Sequence, residues 1–127
     1  MKMIVNTSDA PNPVGPYNQA THHQGVLYIS GQIAIDPATG ELVKDNIEAE
    51  THQVLKNIGA ILRAAGLSYQ DVLKCSVFVS DMGNYGRINA VYAQYFDEEN
   101  APARELVEVS ALPKYVNVEI SAIAAAK

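Results

Sequence analysis

The sequence predicts an α+β fold, and three features of it do so. Two stretches, 45–66 and 82–99, place apolar residues at the three- and four-residue spacing of a helix. Five short runs rich in β-branched residues read as strands. Their order is β-β-α-β-α-β-β, with strands following strands at both ends, so two helices can cover one face of a mixed or antiparallel sheet. A length of 127 residues suits one domain with a sizeable core, at 48% hydrophobic and 18% charged residues.

Taken in order, a short apolar run at 3–5 is a strand candidate. "APNPVGPYNQA" follows, with a proline content that reads on composition alone as linker. "ATHHQGVLYISGQIAI" then gives strands over 19–23 and 26–35, joined through Gln24-Gly25, where Gly25 supplies the positive φ of a tight hairpin turn. Gly31 inside the second strand marks a bulge or a close approach by another group. "DPATGELV" is a turn punctuated by Pro37 and Gly40.

The first helix buries Ile47, Thr51, Val54, Leu55, Ile58, Ile61, Leu62 and Ala65 on one side. Asp45 is placed to cap it, Glu48 lies three residues later, and Gly66 ends it. Strand 72–80 precedes the second helix, whose stripe is Tyr85, Ile88, Val91, Tyr92, Tyr95 and Phe96, with Asp81 as cap. "ARELVEVSA" and "VNVEISAIA" are the last strands, separated at Pro113.

Alternation sorts these last strands into faces. Val107 and Val109 are expected beside Val118, Ile120 and Ala122 under the helices. Arg104, Leu106 and Glu108 are expected on the other face with Asn117, Glu119, Ser121 and Ile123. That mixed face is either solvated, as antiparallel sheets allow, or packed against another subunit. Phe78, opposite in phase to Cys75, Val77 and Val79, favours the second reading, because an apolar patch there would otherwise stand exposed. Within the face, Arg104 and Glu119 are candidates for a pair. An arginine can grip a carboxylate through two parallel hydrogen bonds, and a glutamate in a dry cleft can act as a base toward water. A purely structural ion pair is the plainer explanation of the two residues alone.

Composition also sets aside some chemistries. The formal charge is −5 and no Lys/Arg run occurs, which disfavours a phosphate-gripping surface. His22 and His23 would point oppositely on a strand, and His52 is isolated, so a zinc site is not expected. Cys75 is the only cysteine and reads as a buried structural thiol. With no leader-like segment or long apolar run, a soluble cytoplasmic protein is expected.

"PNPVGPYNQA", "YISGQIAIDPATGELV", "NYGRINAVYAQYFDEENAPAR" and "LPKYVNVEISAIA" together resemble the RidA (YjgF) family of reactive intermediate deaminases, from about residue 7 to 125. The resemblance implies a chorismate-mutase-like fold in a homotrimer, with three sheets forming a barrel and ligand clefts between subunits. It implies hydrolysis of 2-imino acids such as 2-iminopropanoate (the tautomer of 2-aminoacrylate) and 2-iminobutanoate to 2-keto acids and ammonia, without metal or cofactor. It implies that Arg104 binds the substrate carboxylate, that Glu119 polarises water, and that Tyr17 enters the cleft from a neighbouring subunit. Ser30, Gly31 and Asn89 would contact substrate, and Leu106 would do so through its backbone. Leu106 stands where many members have cysteine, Asn18 where serine is usual and Ser121 where an acid is common. Asn18 is therefore expected to bear on substrate range. Two other functions belong to the same resemblance: a non-catalytic sensor of small keto or amino acids, and an endoribonuclease. The charge balance argues against the last.

In that light "APNPVGPYNQA" is a preset arm. Pro11, Pro13 and Pro16 restrict φ, so the segment loses little entropy when it lies extended and presents Tyr17.

Overall fold

The computed structural model describes residues 1–126. Its backbone is organised by a six-stranded sheet of order β1-β2-β3-β6-β4-β5. The strands are β1 (Met3–Val5), β2 (Ala20–His23), β3 (Val26–Gln32), β4 (Val72–Val79), β5 (Ala103–Glu108) and β6 (Val118–Ala125). All neighbours are antiparallel except β4 and β5. Helices α1 (Ile47–Ala64) and α2 (Tyr85–Tyr92) cover one face. The α+β reading and the element order agree with this architecture.

The β2–β3 hairpin turns where expected. Gln24 and Gly25 both have positive φ, 49° and 79°, the left-handed pair that fits the natural twist of two strands. Strand β3 stops at Gln32, short of the expected end at 35, and Ile35 makes only an isolated bridge to Leu42. Between Ile29 and Gln32 the register against β6 slips, so Gly31 sits at an irregularity, as its place in the strand suggested.

Helix α1 is capped by Asn46 rather than Asp45. The Asn46 side-chain oxygen accepts from the Ala49 N–H at 2.8 Å, and its backbone is extended, as a cap requires. At the other end Gly66 adopts φ +76°, while Gly66 N–H reaches Arg63 C=O and Leu67 N–H reaches Leu62 C=O, a Schellman closure. Val54, Leu55, Ile58, Ile61 and Leu62 are fully buried, each contributing roughly 1.5–3 kcal/mol of apolar transfer.

Asp81 caps the turn before α2, accepting from Gly83 N–H at 2.8 Å. The helix itself ends at Tyr92, earlier than the apolar spacing implied. Tyr95 and Phe96 follow in tight turns closed back onto Tyr92. They remain in the apolar cluster because their rings lock against Tyr69, in edge-on geometry at 5.3 and 5.7 Å.

The expected faces of β6 hold: Val118, Ile120, Ala122 and Ala124 are buried, while Glu119, Ser121 and Ile123 are only half-buried. Those of β5 are reversed. The two strands are not neighbours, because β4 runs between them. Register pairs Leu106 with Val77 and Ile120 on the helix side, and Val107 with Phe78 and Glu119 on the open side. Leu106 accordingly packs on the core and Val107 is 42% exposed. "RELVEV" has apolar residues in both phases, so alternation alone could not decide between them. No helix among the described residues is long and apolar enough to cross a membrane.

Candidate active site

The candidate residues fall into two separate groups. The first is built where the proline-rich arm, the β3 bulge and the start of β6 converge. The arm has three prolines and hence few backbone donors, so its carbonyls need partners from elsewhere. Gln19, 1% exposed, supplies them. Its amide nitrogen donates to Thr7 C=O at 2.9 Å, Pro11 C=O at 2.9 Å and Ala10 C=O at 3.2 Å. Its amide oxygen accepts from Thr7 N–H at 2.7 Å. A bend closed by Tyr17 N–H on Gly15 C=O at 2.8 Å then turns the arm toward the sheet.

The result is a cavity of about 180 Å³, lined in part by Val14, Tyr17, Gly31, Ile33, Lys114 and Glu119. Glu119 lies directly across Gly31. A Cβ built on Gly31 would stand 2.7 Å from the Glu119 Oε2 and 2.9 Å from its Cδ. Only glycine leaves room for this carboxylate. Partial burial pushes the Glu119 carboxyl above its ordinary pKa.

Pro113 and Lys114 add a loop to the cavity lining. Lys114 and Tyr115 have consecutive left-handed φ values of 56° and 55°, and Tyr115 is 88% exposed. Ser30 donates to Asn18 C=O at 2.6 Å, tying β3 to the arm. The Asn18 side chain accepts from Asn6 at 3.0 Å and is not among the cavity's lining residues. Asn18 borders the adjoining surface depression together with Tyr17 and Ser30.

The second group surrounds Arg104 on β5. Its Nη1 donates to Asn89 Oδ1 at 2.9 Å and its Nη2 to the Tyr85 hydroxyl at 3.1 Å. Of five guanidinium N–H groups, the remaining donors have no hydrogen-bond partner among the described residues. β5 is the last strand in the sheet order, so one of its edges is open. Val109 N–H bonds to Val79 C=O. By the two-residue alternation of a strand, the Leu106 N–H points the other way, off that open edge. Beneath Arg104, burial pushes the Cys75 thiol above its ordinary pKa.

Arg104 and Glu119 do not form the pair that the alternation suggested. Arg104 is level with Cys75 on the helix side, and Glu119 is level with Phe78 on the open side. Within one chain, Tyr17, Gly31 and Glu119 are brought together, and Ser30 adjoins them. Asn89 is brought to Arg104. Three contributors escaped the sequence reading: Gln19, Tyr85 and Lys114. The signal for Gln19 was present, since a run of donor-poor prolines demands an amide nearby.

Comparison with known proteins places these groups in context. Residues 7–126 match the family model described as Endoribonuclease L-PSP. A RutC family protein of Pyrococcus horikoshii is 54% identical over 124 residues, covering 98% of each chain. The human 2-iminobutanoate/2-iminopropanoate deaminase is 42% identical over 124 residues, covering 98% of this chain and 90% of that one. Escherichia coli TdcF, solved with bound serine, superposes with a TM-score of 0.92 at 41% identity, covering 98% and 99% of the two chains. With the motifs, the fold and these relatives in agreement, the chain belongs to the YjgF/RidA family.

Proposed function

We propose that the protein hydrolyses small 2-imino acids, 2-iminopropanoate and 2-iminobutanoate, to the 2-keto acid and ammonia. The observation that carries this is the Arg104 guanidinium, oriented by Asn89 and Tyr85 with donors left for a carboxylate. Charge-assisted bonds of that kind contribute on the order of 1.5–3 kcal/mol each. Deaminase-named relatives and a relative solved with serine, a small amino acid, support the same substrate class.

The reacting site is shared between copies of the chain in a homotrimer. Arg104 and Asn89 of one copy, with the Leu106 N–H, meet Tyr17, Ser30, Gly31 and Glu119 of the next. The opposite orientations of Arg104 and Glu119 support this arrangement, because neither group can complete a site alone. The exposed apolar residues of the open face, Tyr28 and Val107, support a covered face.

In the reaction, Arg104 holds the carboxylate and so fixes the imine carbon over Glu119. The Glu119 carboxylate takes a proton from water as the water oxygen bonds to that carbon. The electron pair of the C=N bond moves to nitrogen. Glu119 then returns that proton to the nitrogen, giving the carbinolamine. It next takes the hydroxyl proton and passes it to the amino nitrogen as the C–N bond breaks and the hydroxyl oxygen's electron pair closes C=O, so that keto acid and ammonia leave. The imine is already electrophilic, so positioning and one carboxyl that relays both protons suffice.

The test generates 2-aminoacrylate in situ and follows pyruvate release. Wild type should accelerate release over the spontaneous rate and Arg104→Ala should not. Equal rates for the two proteins would remove Arg104 from the mechanism. Binding of pyruvate without any acceleration would favour a sensor instead.

A further inference from the structure

Arg104 rests on aromatic rings that the proposed chemistry does not itself require. Its Cζ lies 4.8 Å from the Tyr92 ring centroid and 5.8 Å from that of Tyr85. Tyr85, Asn89 and Tyr92 are spaced by four and three residues on α2, so one stripe of this helix supplies every polar and aromatic contact just described for the guanidinium. The stripe was legible in the sequence only as an aromatic pattern suited to core or interface.

The two rings differ in how firmly they are held. Tyr92 is 6% exposed, and its ring packs on Phe96 at 4.7 Å between centroids. Tyr85 is 43% exposed and is tied to Arg104 by its hydroxyl. The Tyr92 hydroxyl faces the buried Cys75 thiol, a weak hydrogen-bonding group. The ring itself supplies the flat, electron-rich face beneath a cation.

A guanidinium on the edge strand of a sheet would otherwise sample many rotamers. Resting on one buried ring, with a second ring and an amide at its rim, it loses that freedom before any ligand arrives. We infer that Tyr92 and Tyr85 are positioning residues, a two-ring rest that pre-orients Arg104 for a planar carboxylate. This inference builds on the proposed role of Arg104 in binding the substrate carboxylate.

The experiment compares Tyr92→Leu, Tyr92→Phe and Tyr85→Leu by steady-state kinetics on 2-aminoacrylate and by the NMR signal of the Arg104 Nε–H group. Tyr92→Leu should raise KM roughly tenfold with kcat little changed, as loss of a desolvated cation–π contact predicts. Its Arg104 signal should broaden or exchange faster. Tyr92→Phe, which keeps the ring, should bring KM back to within about twofold of wild type and restore the signal. Tyr85→Leu alters an exposed residue, so it carries the test if Tyr92→Leu fails to fold, with the same KM rise and signal change expected. A folded Tyr92→Leu or Tyr85→Leu with unchanged KM and an unchanged Arg104 signal would overturn the inference. If wild type itself releases no pyruvate, the proposed reaction fails. The Arg104 signal then still decides whether the rings position the guanidinium.

Discussion

Arg104 and Glu119 lie on opposite sides of the same sheet, with β4 between their strands. They are level with Cys75 and Phe78, three residues apart along β4, or roughly 10 Å at the rise of a strand. No rotamer change brings them together within one chain.

The first prediction follows directly from that separation. Arg104→Ala and Glu119→Gln should each be inactive alone. Unfolded together and refolded as a mixture, they should recover activity, because a mixed assembly pairs an intact Arg104 from one copy with an intact Glu119 from another. Random mixing in a head-to-tail ring restores about a quarter of the sites. A mixture as inactive as its components would rule out a shared site.

Gly31→Ala should separate activity from stability. The added methyl would meet the Glu119 carboxyl at 2.7–2.9 Å, but the end of that side chain can swing away. Thermal stability should therefore fall by less than about 1 kcal/mol, while turnover falls by on the order of a hundredfold as the carboxylate loses its place. Paired melting and rate measurements decide this.

The raised pKa of Glu119 makes two pH predictions. In the proposed mechanism the carboxylate is the active form, so the acid limb of kcat/KM should lie above the ordinary glutamate range. For stability, the folded chain holds this proton more tightly than the unfolded chain does. The corresponding stabilisation is complete below the unfolded pKa and is lost as pH rises through the folded one. Glu119→Gln should therefore gain stability over wild type near neutral pH, and the difference should shrink toward about pH 4. Urea unfolding at both pH values measures it.

Gly59→Ala should be the more damaging glycine substitution. Its Cβ would fall 2.1 Å from the Tyr69 hydroxyl, which donates to Leu55 C=O at 2.7 Å inside the core. Overpacking of this kind costs about 1–3 kcal/mol, and losing the Tyr69 hydrogen bond adds to it. Denaturant midpoints would show the loss, with KM little affected.

Tyr115→Gly should stabilise the chain. Tyr115 holds φ at 55° with its side chain in solvent, so its left-handed backbone is unfavourable and little packing is lost on truncation. A gain of about 1 kcal/mol is expected, less the extra entropy of glycine in the unfolded chain. A lower melting temperature would show that the left-handed backbone at Tyr115 carries no net strain.

Much of this was legible in the sequence because local rules agreed. The Gln24-Gly25 turn, the α1 stripe, the Gly66 stop and the crowding at Gly31 each have one dominant physical cause acting on neighbouring residues. The reading failed where a long-range choice decided. Whether Leu106 or Val107 faced the core depended on which strand β5 adopted as its partner. β5 took the parallel place beside β4, at the register that sets Leu106 beside Val77, and alternation within "RELVEV" does not fix that register. That single difference reversed the faces of β5 and turned an apparent Arg104–Glu119 pair into two separated groups. The cap of α1 moved by one residue, from Asp45 to Asn46, because both side chains are competent and only the local backbone distinguishes them.

The arm pinned by Gln19 has a consequence for how this fold can diversify. Its base is clamped by contacts from one side chain to Thr7, Ala10 and Pro11, while Asn12 and Val14 beyond the clamp line the cavity. A substitution or a one-residue insertion within 12–16 would be absorbed between two anchored points, leaving strand register untouched. The cavity wall can thus drift in shape under selection while Glu119, Gly31 and the sheet stay in place. Cavity shape and folding are, in this segment, separable.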